Sequence, residues 1–290
     1  MIALTPAAVL TVPTEVAGAL HDRAATLPAY DDRDLRSPGT QHELRDAVRH
    51  AAPAEFDALL ADIEARLERP PHVAHVTGLR FDRSNHLLLA LSAALGEVVD
   101  PYNRPGSALV KRLSPPRDRL AHGGGGDILS EALHTDGTDS PEPNDITCLV
   151  CVCPDQNGGG RTRLVDTERI RADIFPLLDA ATVRILTTEA LPWRIAEALG
   201  GGTFPAPAIT DSELRWLREG VATPIPQRIE IALREFEQKL ATTTDFVEFG
   251  MSRDSFVVIN NRRTLHARTA ITDRARSQRL VLRTKVYRRP

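Results

Sequence analysis

The sequence predicts a mainly β fold with a helical annex at its front, the core being a sandwich or barrel of the jelly-roll kind. Two observations carry this. The first hundred residues hold apolar stripes at helical spacing, and after residue 105 the texture changes to short apolar runs separated by Pro, Gly and Asp. Many short strands with turn signals between them read as a sandwich or barrel.

In the annex, Pro53 opens a helix whose stripe is Phe56, Leu59, Leu60, Ile63 and Leu67, and Pro70-Pro71 ends it. The segment 72–81, HVAHVTGLRF, reads as a strand with a turn at Gly78. Ser84 is the expected cap of a second helix carrying Leu88, Leu91 and Leu95 on one face. The predicted core strands are 108–113, 128–134, 146–153, 161–165, 246–249, 255–260 and 278–287. One amphipathic helix interrupts them, with Ile229, Leu233, Phe236 and Leu240 at helical spacing.

Residues 188–227 differ: they contain Gly200-Gly201-Gly202, five prolines and little periodicity. A structureless stretch that long inside a compact domain reads as a lid or binding loop. Its tryptophans, Trp193 and Trp216, are expected to close over a ligand. The expected organisation is one domain over 1–290, with a mostly helical annex over 1–105, a core over 106–290 and the lid at about 188–227.

Composition narrows the function classes. Apolar residues make up 42% and charged residues 26% of the 290, with a net charge of −3. No basic surface for nucleic acid is expected, and no basic amphipathic helix points to a membrane. The first thirty residues lack a basic leader region, and no uncharged apolar run reaches the length of a membrane span. Cytoplasmic location is the expectation. Three lysines, Lys111, Lys239 and Lys285, stand among 36 basic residues, a bias that resembles GC-rich bacterial coding.

Cys148, Cys151 and Cys153 fall together in ITCLVCVC. On a strand the first two point to opposite faces, and no turn glycine accompanies them. Buried thiols in a core strand are expected, not a zinc or redox pair.

The segment EALHTDGTD (131–139) carries the chemistry. His134 and Asp136, two apart at the end of a predicted strand, leave the same face and can hold one metal. Alone this is weak, since nine histidines and 39 acidic residues yield about one such H-x-D/E triplet by chance. A third ligand is available in NNRRTLHART, where His266 follows the apolar strand SFVVIN at a strand-to-loop junction. Six of the nine histidines fall in the helical front part and His122 in the loop AHGGGGD, which leaves His134 and His266 flanking core strands. Two imidazoles and a carboxylate leave three open positions, which suits Fe(II) and oxygen chemistry. Structural zinc would want four ligands.

HTD (134–136), GGGRTRLVD (158–166), NNRRTLHART (260–269) and RLVLR (279–283), in this order and spacing, resemble the taurine dioxygenase/clavaminate synthase-like superfamily of Fe(II)/2-oxoglutarate-dependent oxygenases. The resemblance covers about residues 105–290 and implies a double-stranded β-helix core. It implies His134, Asp136 and His266 as metal ligands. It further implies that Thr162 and Arg279 hold 2-oxoglutarate, and that Arg283 reads an acidic group on the substrate. A guanidinium fork suits a carboxylate. Arg279, Val281 and Arg283 alternate on a predicted strand, so both arginines are expected to line one cavity. The clavaminate branch frequently has Glu at 136 and Gly at 267; Asp136 and Ala267 depart from it, which loosens any transfer of an amino-acid substrate.

Other motifs are weaker. Gly123–Gly126 reads as a flexible loop beside the metal site. Asp139, Glu142 and Asp145 read as a solvated turn, Arg268 as structural, and Asn261 as an orienter of His266.

The resemblance implies a dioxygenase that couples oxidative decarboxylation of 2-oxoglutarate by O2 to hydroxylation of an unactivated C–H bond. The partner is a small-molecule substrate, a small acidic metabolite or an amino acid, and the family's habit suggests bacterial specialised metabolism such as antibiotic biosynthesis. Desaturation, epoxidation and cyclisation use the same ligands. A halogenase is disfavoured, because Asp136 keeps the carboxylate that a halide would replace. A zinc-dependent hydrolase and a non-catalytic cupin-like binding protein are the more distant readings.

Overall fold

A computed structural model describes residues 2–3, 9–100, 102, 108–114, 131–274 and 276–288. Helices α1 (Thr14–Thr26), α2 (Pro38–Arg49), α3 (Pro53–Leu67) and α4 (His86–Leu95) form the front layer. The α3 stripe is buried at Phe56, Leu59, Ile63 and Leu67, as its periodicity predicts. Ser84 does not cap α4; the Asp82 carboxylate accepts from the His86 and Leu87 amides at 3.0 and 2.8 Å instead. A carboxylate there also answers the helix dipole.

Behind the helices lies a seven-stranded sheet. Its path runs β2 (Val9–Thr11), β3 (Val73–Thr77), β11 (Phe256–Asn260), β6 (Ile146–Cys153), β13 (Leu280–Tyr287) and β4 (Glu97–Val98), with β5 (Lys111–Leu113) also on β13. A four-stranded sheet of β1 (Ile2–Ala3), β10 (Val247–Phe249), β7 (Thr162–Asp166) and β12 (Thr264–Arg268) faces it. Between the sheets lies an apolar layer that includes Cys151, Leu164, Val247, Phe249, Val257 and Ile259. Residues of the other parity, such as Cys148, Val150, Val258, Leu282 and Val286, pack against the helices. This explains why β6 and β11 are near-continuous apolar runs: both faces are covered.

On the outside of the smaller sheet, α5 (Ala180–Thr188), α6 (Gln227–Thr242) and the β8–β9 hairpin (Leu191–Arg194, Thr203–Ala206) close a second apolar cluster. The chain is therefore mixed helix and sheet, and its helices are not confined to the annex. No helix among the described residues is long and apolar enough to cross a membrane.

Several strand expectations are corrected. Strand β5 covers only 111–113 of the segment 108–113. Residues 128–130 and the Gly123–Gly126 loop lie outside the described residues, and 131–133 are not a strand. The segment 72–81 does form a strand as read, over Val73–Thr77 only, with His75 in β3 and His72 immediately before it. The cysteines behave as read. Cys148 and Cys151 are buried on opposite faces of β6, and all three are free thiols.

Candidate metal centre

His266 sits in the middle of β12, not at a strand-to-loop junction, and pairs antiparallel with Leu164, while Arg268 pairs with Thr162. Opposed residues of such a pair share a face. Leu164 belongs to the layer between the sheets, so His266, Arg268 and Thr162 point inward too. On the facing sheet, Val281, Arg283 and Lys285 of β13 oppose Cys151, Leu149 and Thr147 of β6, and they also point inward.

His134 reaches the same place through a backbone bridge. Its amide donates to the His266 carbonyl at 3.1 Å, and its carbonyl accepts one back from the His266 amide at 2.8 Å. The two rings then lie 4.6 Å apart. Asp136 follows in a turn. Thr147 Oγ1 donates to its Oδ2 at 2.8 Å, Arg283 Nη1 donates to its Oδ1 at 2.8 Å, and Lys285 Nζ stands 3.9 Å from Oδ1. Ligand atoms of His134, Asp136 and His266 all fall within 4.8 Å of one another.

Protonation suits a cation. His134 Nδ1 donates to the Ala132 carbonyl at 2.8 Å, which fixes Nε2 as its lone-pair nitrogen. Burial, then the neighbouring His134, pushes His266 down to about 3. Burial also lowers His134, against the pull of Asp136. For Asp136 burial acts upward, but Arg283, Lys285 and the two histidines outweigh it and hold the carboxylate well below its usual range. Burial pushes Lys285 down, with Asp136 opposing. His266 Nδ1 is buried with no hydrogen-bond partner among the described residues. Two neutral imidazoles and one carboxylate, one ligand atom from each, fit a divalent first-row metal with open positions.

Asn261 orients Asp136, not His266. Its Oδ1 accepts from the Asp136 amide at 2.8 Å, and its Nδ2 donates to the Asp136 carbonyl at 3.0 Å. Arg268 is a tether, donating to Glu131, three residues before His134, at 2.9 Å. Asp145 is not merely solvated: it pairs with Arg262 at 3.0 Å and accepts from the Arg288 amide at 2.7 Å. Asp139 accepts from the Tyr102 hydroxyl at 2.7 Å.

Arg279 precedes β13, and a register shift between Leu280 and Val281 breaks the alternation that was to align it with Arg283. It lies across Gly160 instead, with Nη2 donating to the Gly160 carbonyl at 3.2 Å. A Cβ on Gly160, which has φ +65°, would come within 2.4 Å of Arg279 Nε. The glycine run thus makes room for the arginine beside Thr162. Arg283 and Lys285 line a small cavity of about 20 Å³ with Asp100, Tyr102 and Lys111, and Arg279 is not part of its wall. The two arginines therefore do not share it.

The stretch 188–227 is not structureless, since β8 and β9 pair within it. Trp193 and Trp216 are buried in the outer cluster, Trp216 edge-on to Phe236 of α6 at 4.6 Å. The amide of Thr135, within the HTD motif, donates to the Trp216 carbonyl at 2.9 Å, and Thr135 Oγ1 accepts from the Trp216 amide at 3.0 Å. Arg215, 2% exposed, donates to the carbonyls of Thr138, Ser140 and Pro141. Its missing periodicity reflects packing through irregular backbone and indole rings, which no 3.6 or 2.0 repeat records.

Sequence reasoning missed Thr147 and Lys285. The signals were a threonine inside an otherwise apolar strand and a lysine where this chain almost always uses arginine.

No family model matches the chain, and no curated protein matches it by sequence. Solved structures do. Asparagine oxygenase in complex with Fe(II), 2S,3S-3-hydroxyasparagine and succinate is 22% identical with a TM-score of 0.77, over 97% of this chain and 93% of that one. The non-haem iron oxygenase OrfP with Fe, succinate and (3S)-hydroxy-L-Arg is 18% identical with a TM-score of 0.72, over 97% and 94%. OrfP with Fe and alpha-ketoglutaric acid is 18% identical with a TM-score of 0.71, over 96% and 94%. The fold of this chain is the fold of these oxygenases.

Proposed function

We propose that the chain is an Fe(II)- and 2-oxoglutarate-dependent dioxygenase that hydroxylates an unactivated C–H bond of a small acidic metabolite or amino acid. The observation that carries the reading is the convergence of His134, Asp136 and His266 ligand atoms within 4.8 Å, on a chain folded like oxygenases whose structures hold Fe with succinate or alpha-ketoglutaric acid. On this reading the core is a double-stranded β-helix, and the chain acts as one domain with its helical layer.

His134, Asp136 and His266 hold the iron. Thr162, inward-facing on β7, and Arg279, laid across Gly160, hold the distal carboxylate of 2-oxoglutarate. Arg283 receives the acidic group of the substrate by exchanging its present partner, Asp136. Iron with 2-oxoglutarate and O2 supplies the oxidising power that no side chain has. The protein supplies position and a water-poor interior, because the inward faces of both sheets are buried around the site. Desaturation, epoxidation and cyclisation share these parts, and analysis of the product separates them.

An anaerobic titration tests the reading. One Fe(II) should bind per chain, and 2-oxoglutarate should bind tightly only once the metal is in place. Metal-independent binding of 2-oxoglutarate would remove the basis of the proposal.

A further inference from the structure

Arg283 is not the only cation that β13 turns toward the metal site. Two residues on, Lys285 is 8% exposed, with Nζ 3.9 Å from Asp136 Oδ1 and 5.7 Å from the centre of the Tyr102 ring. Two of the three lysines in the sequence, Lys111 and Lys285, line the cavity beside it.

The acids around that cavity are already engaged. Asp100 pairs with Lys111 at 3.4 Å and Arg36 at 3.9 Å, and Asp139 accepts from Tyr102. Among the described residues, Asp136 is the one carboxylate within ion-pair distance of Arg283 or Lys285. On the proposed function, Asp136 also serves a divalent cation. At ion-pair range that one carboxylate then faces a metal, a guanidinium and an ammonium, while Asp139 and Asp100 act on Lys285 from farther away. A single carboxylate answers Arg283 through its bidentate fork. It leaves Lys285 without a full counter-charge, and burying an unpaired ammonium is unfavourable.

We propose that Lys285 is the second half of a two-cation subsite, so that the substrate presents two negative charges to β13. It is a small doubly charged acid, with two carboxylates or a phosphate-type group, and not a monocarboxylate. The inference rests on the proposed oxygenase reading. Arg283 reads the first acidic oxygen pair, and Lys285 sets the specificity for the second charge.

The test uses the full chain loaded with Mn(II), which stands in for Fe(II) without turnover, and saturated with 2-oxoglutarate. Calorimetric titration then compares aspartate with asparagine, glutamate with glutamine, and phosphoserine with serine. At least one doubly charged member should bind about tenfold or more tightly than its partner, and the pair that shows it distinguishes a second carboxylate from a phosphate. Lys285→Met should reduce that preference to near unity, and Lys285→Arg should retain it, which separates lost charge from lost folding. If Mn(II) and 2-oxoglutarate bind but no doubly charged acid is preferred, the subsite is wrong while the oxygenase reading stands. Equal weakening of both members of a pair by Lys285→Met also overturns it. If neither Mn(II) nor 2-oxoglutarate binds, the oxygenase reading fails, and the subsite with it.

Discussion

Asn261 clamps the backbone of Asp136 from both sides, accepting from its amide at 2.8 Å and donating to its carbonyl at 3.0 Å. The same Nδ2 donates to the Asn144 carbonyl at 2.9 Å, so one 1%-exposed side chain ties the metal-site turn to the start of β6. Outer partners of metal ligands typically govern affinity by about 10–100-fold. Asn261→Leu, of similar volume, should weaken Fe(II) by that order while leaving helix and sheet content unchanged. An anaerobic iron titration beside a circular dichroism spectrum checks it; unaltered affinity would make the clamp incidental.

Arg279 and Gly160 form a second linked pair. Arg279→Ala should weaken 2-oxoglutarate by roughly 2–5 kcal/mol, because a bidentate charged pair is lost and the carboxylate stays unpaired. Gly160→Ala should do the same with the arginine still present, since its Cβ would fall 2.4 Å from Nε and force the guanidinium aside. Both should keep Fe(II). Calorimetry of 2-oxoglutarate on the metal-loaded variants is the measurement, and full affinity in Gly160→Ala would mean that the arginine does not work from this position.

Much of the site was legible because it is written in short, chemically distinctive words. The triad, the glycine run and the two arginines each had a motif, and strands such as Ile146–Cys153 and Phe256–Asn260 had unbroken apolar runs. Strand β12 was not legible. Its residues Thr264–Arg268 turn polar His266 and Arg268 inward and apolar Leu265 outward, the reverse of the pattern that marks a core strand. The 188–227 segment misled for a related reason: its order comes from buried indoles and from carbonyls gathered by Arg215, features without sequence period. The bulge that separates Arg279 from Arg283 also leaves no trace in composition.

Arg215 offers a check on that corrected segment. Its guanidinium fastens the carbonyls of residues 138–141 directly after the HTD motif and pairs with Glu213 at 2.8 Å. Arg215→Met should destabilise the fold by roughly 3–5 kcal/mol, because partners remain buried without their cation. Denaturant unfolding measures this. A loss below about 1 kcal/mol would show the segment to be as loose as its sequence suggests.

The thiols provide a test of the layer arrangement that is independent of chemistry at the metal. Burial pushes Cys148 up to about 12, against hydrogen bonds from Ser92 and Thr284, and pushes Cys151 up to about 11. At pH 8 the native chain should therefore alkylate at Cys153, which is half-exposed, and at the other two only after unfolding. Mass spectrometry of the labelled peptides reads this out. Rapid native labelling of Cys148 would contradict its burial between β6 and the helices.

On the proposed reading, His134, Asp136 and His266 hold an iron at which 2-oxoglutarate and O2 are consumed together. Its most direct test is succinate formation from 2-oxoglutarate by the purified chain, with a panel of small acids as substrate and with Fe(II), O2 or both withheld in turn. Succinate should appear only when iron, 2-oxoglutarate and O2 are all present, and should vanish in His134→Ala and His266→Ala. Succinate that persists without iron or survives both substitutions would contradict the account, as would an iron-loaded chain that leaves 2-oxoglutarate untouched across the panel.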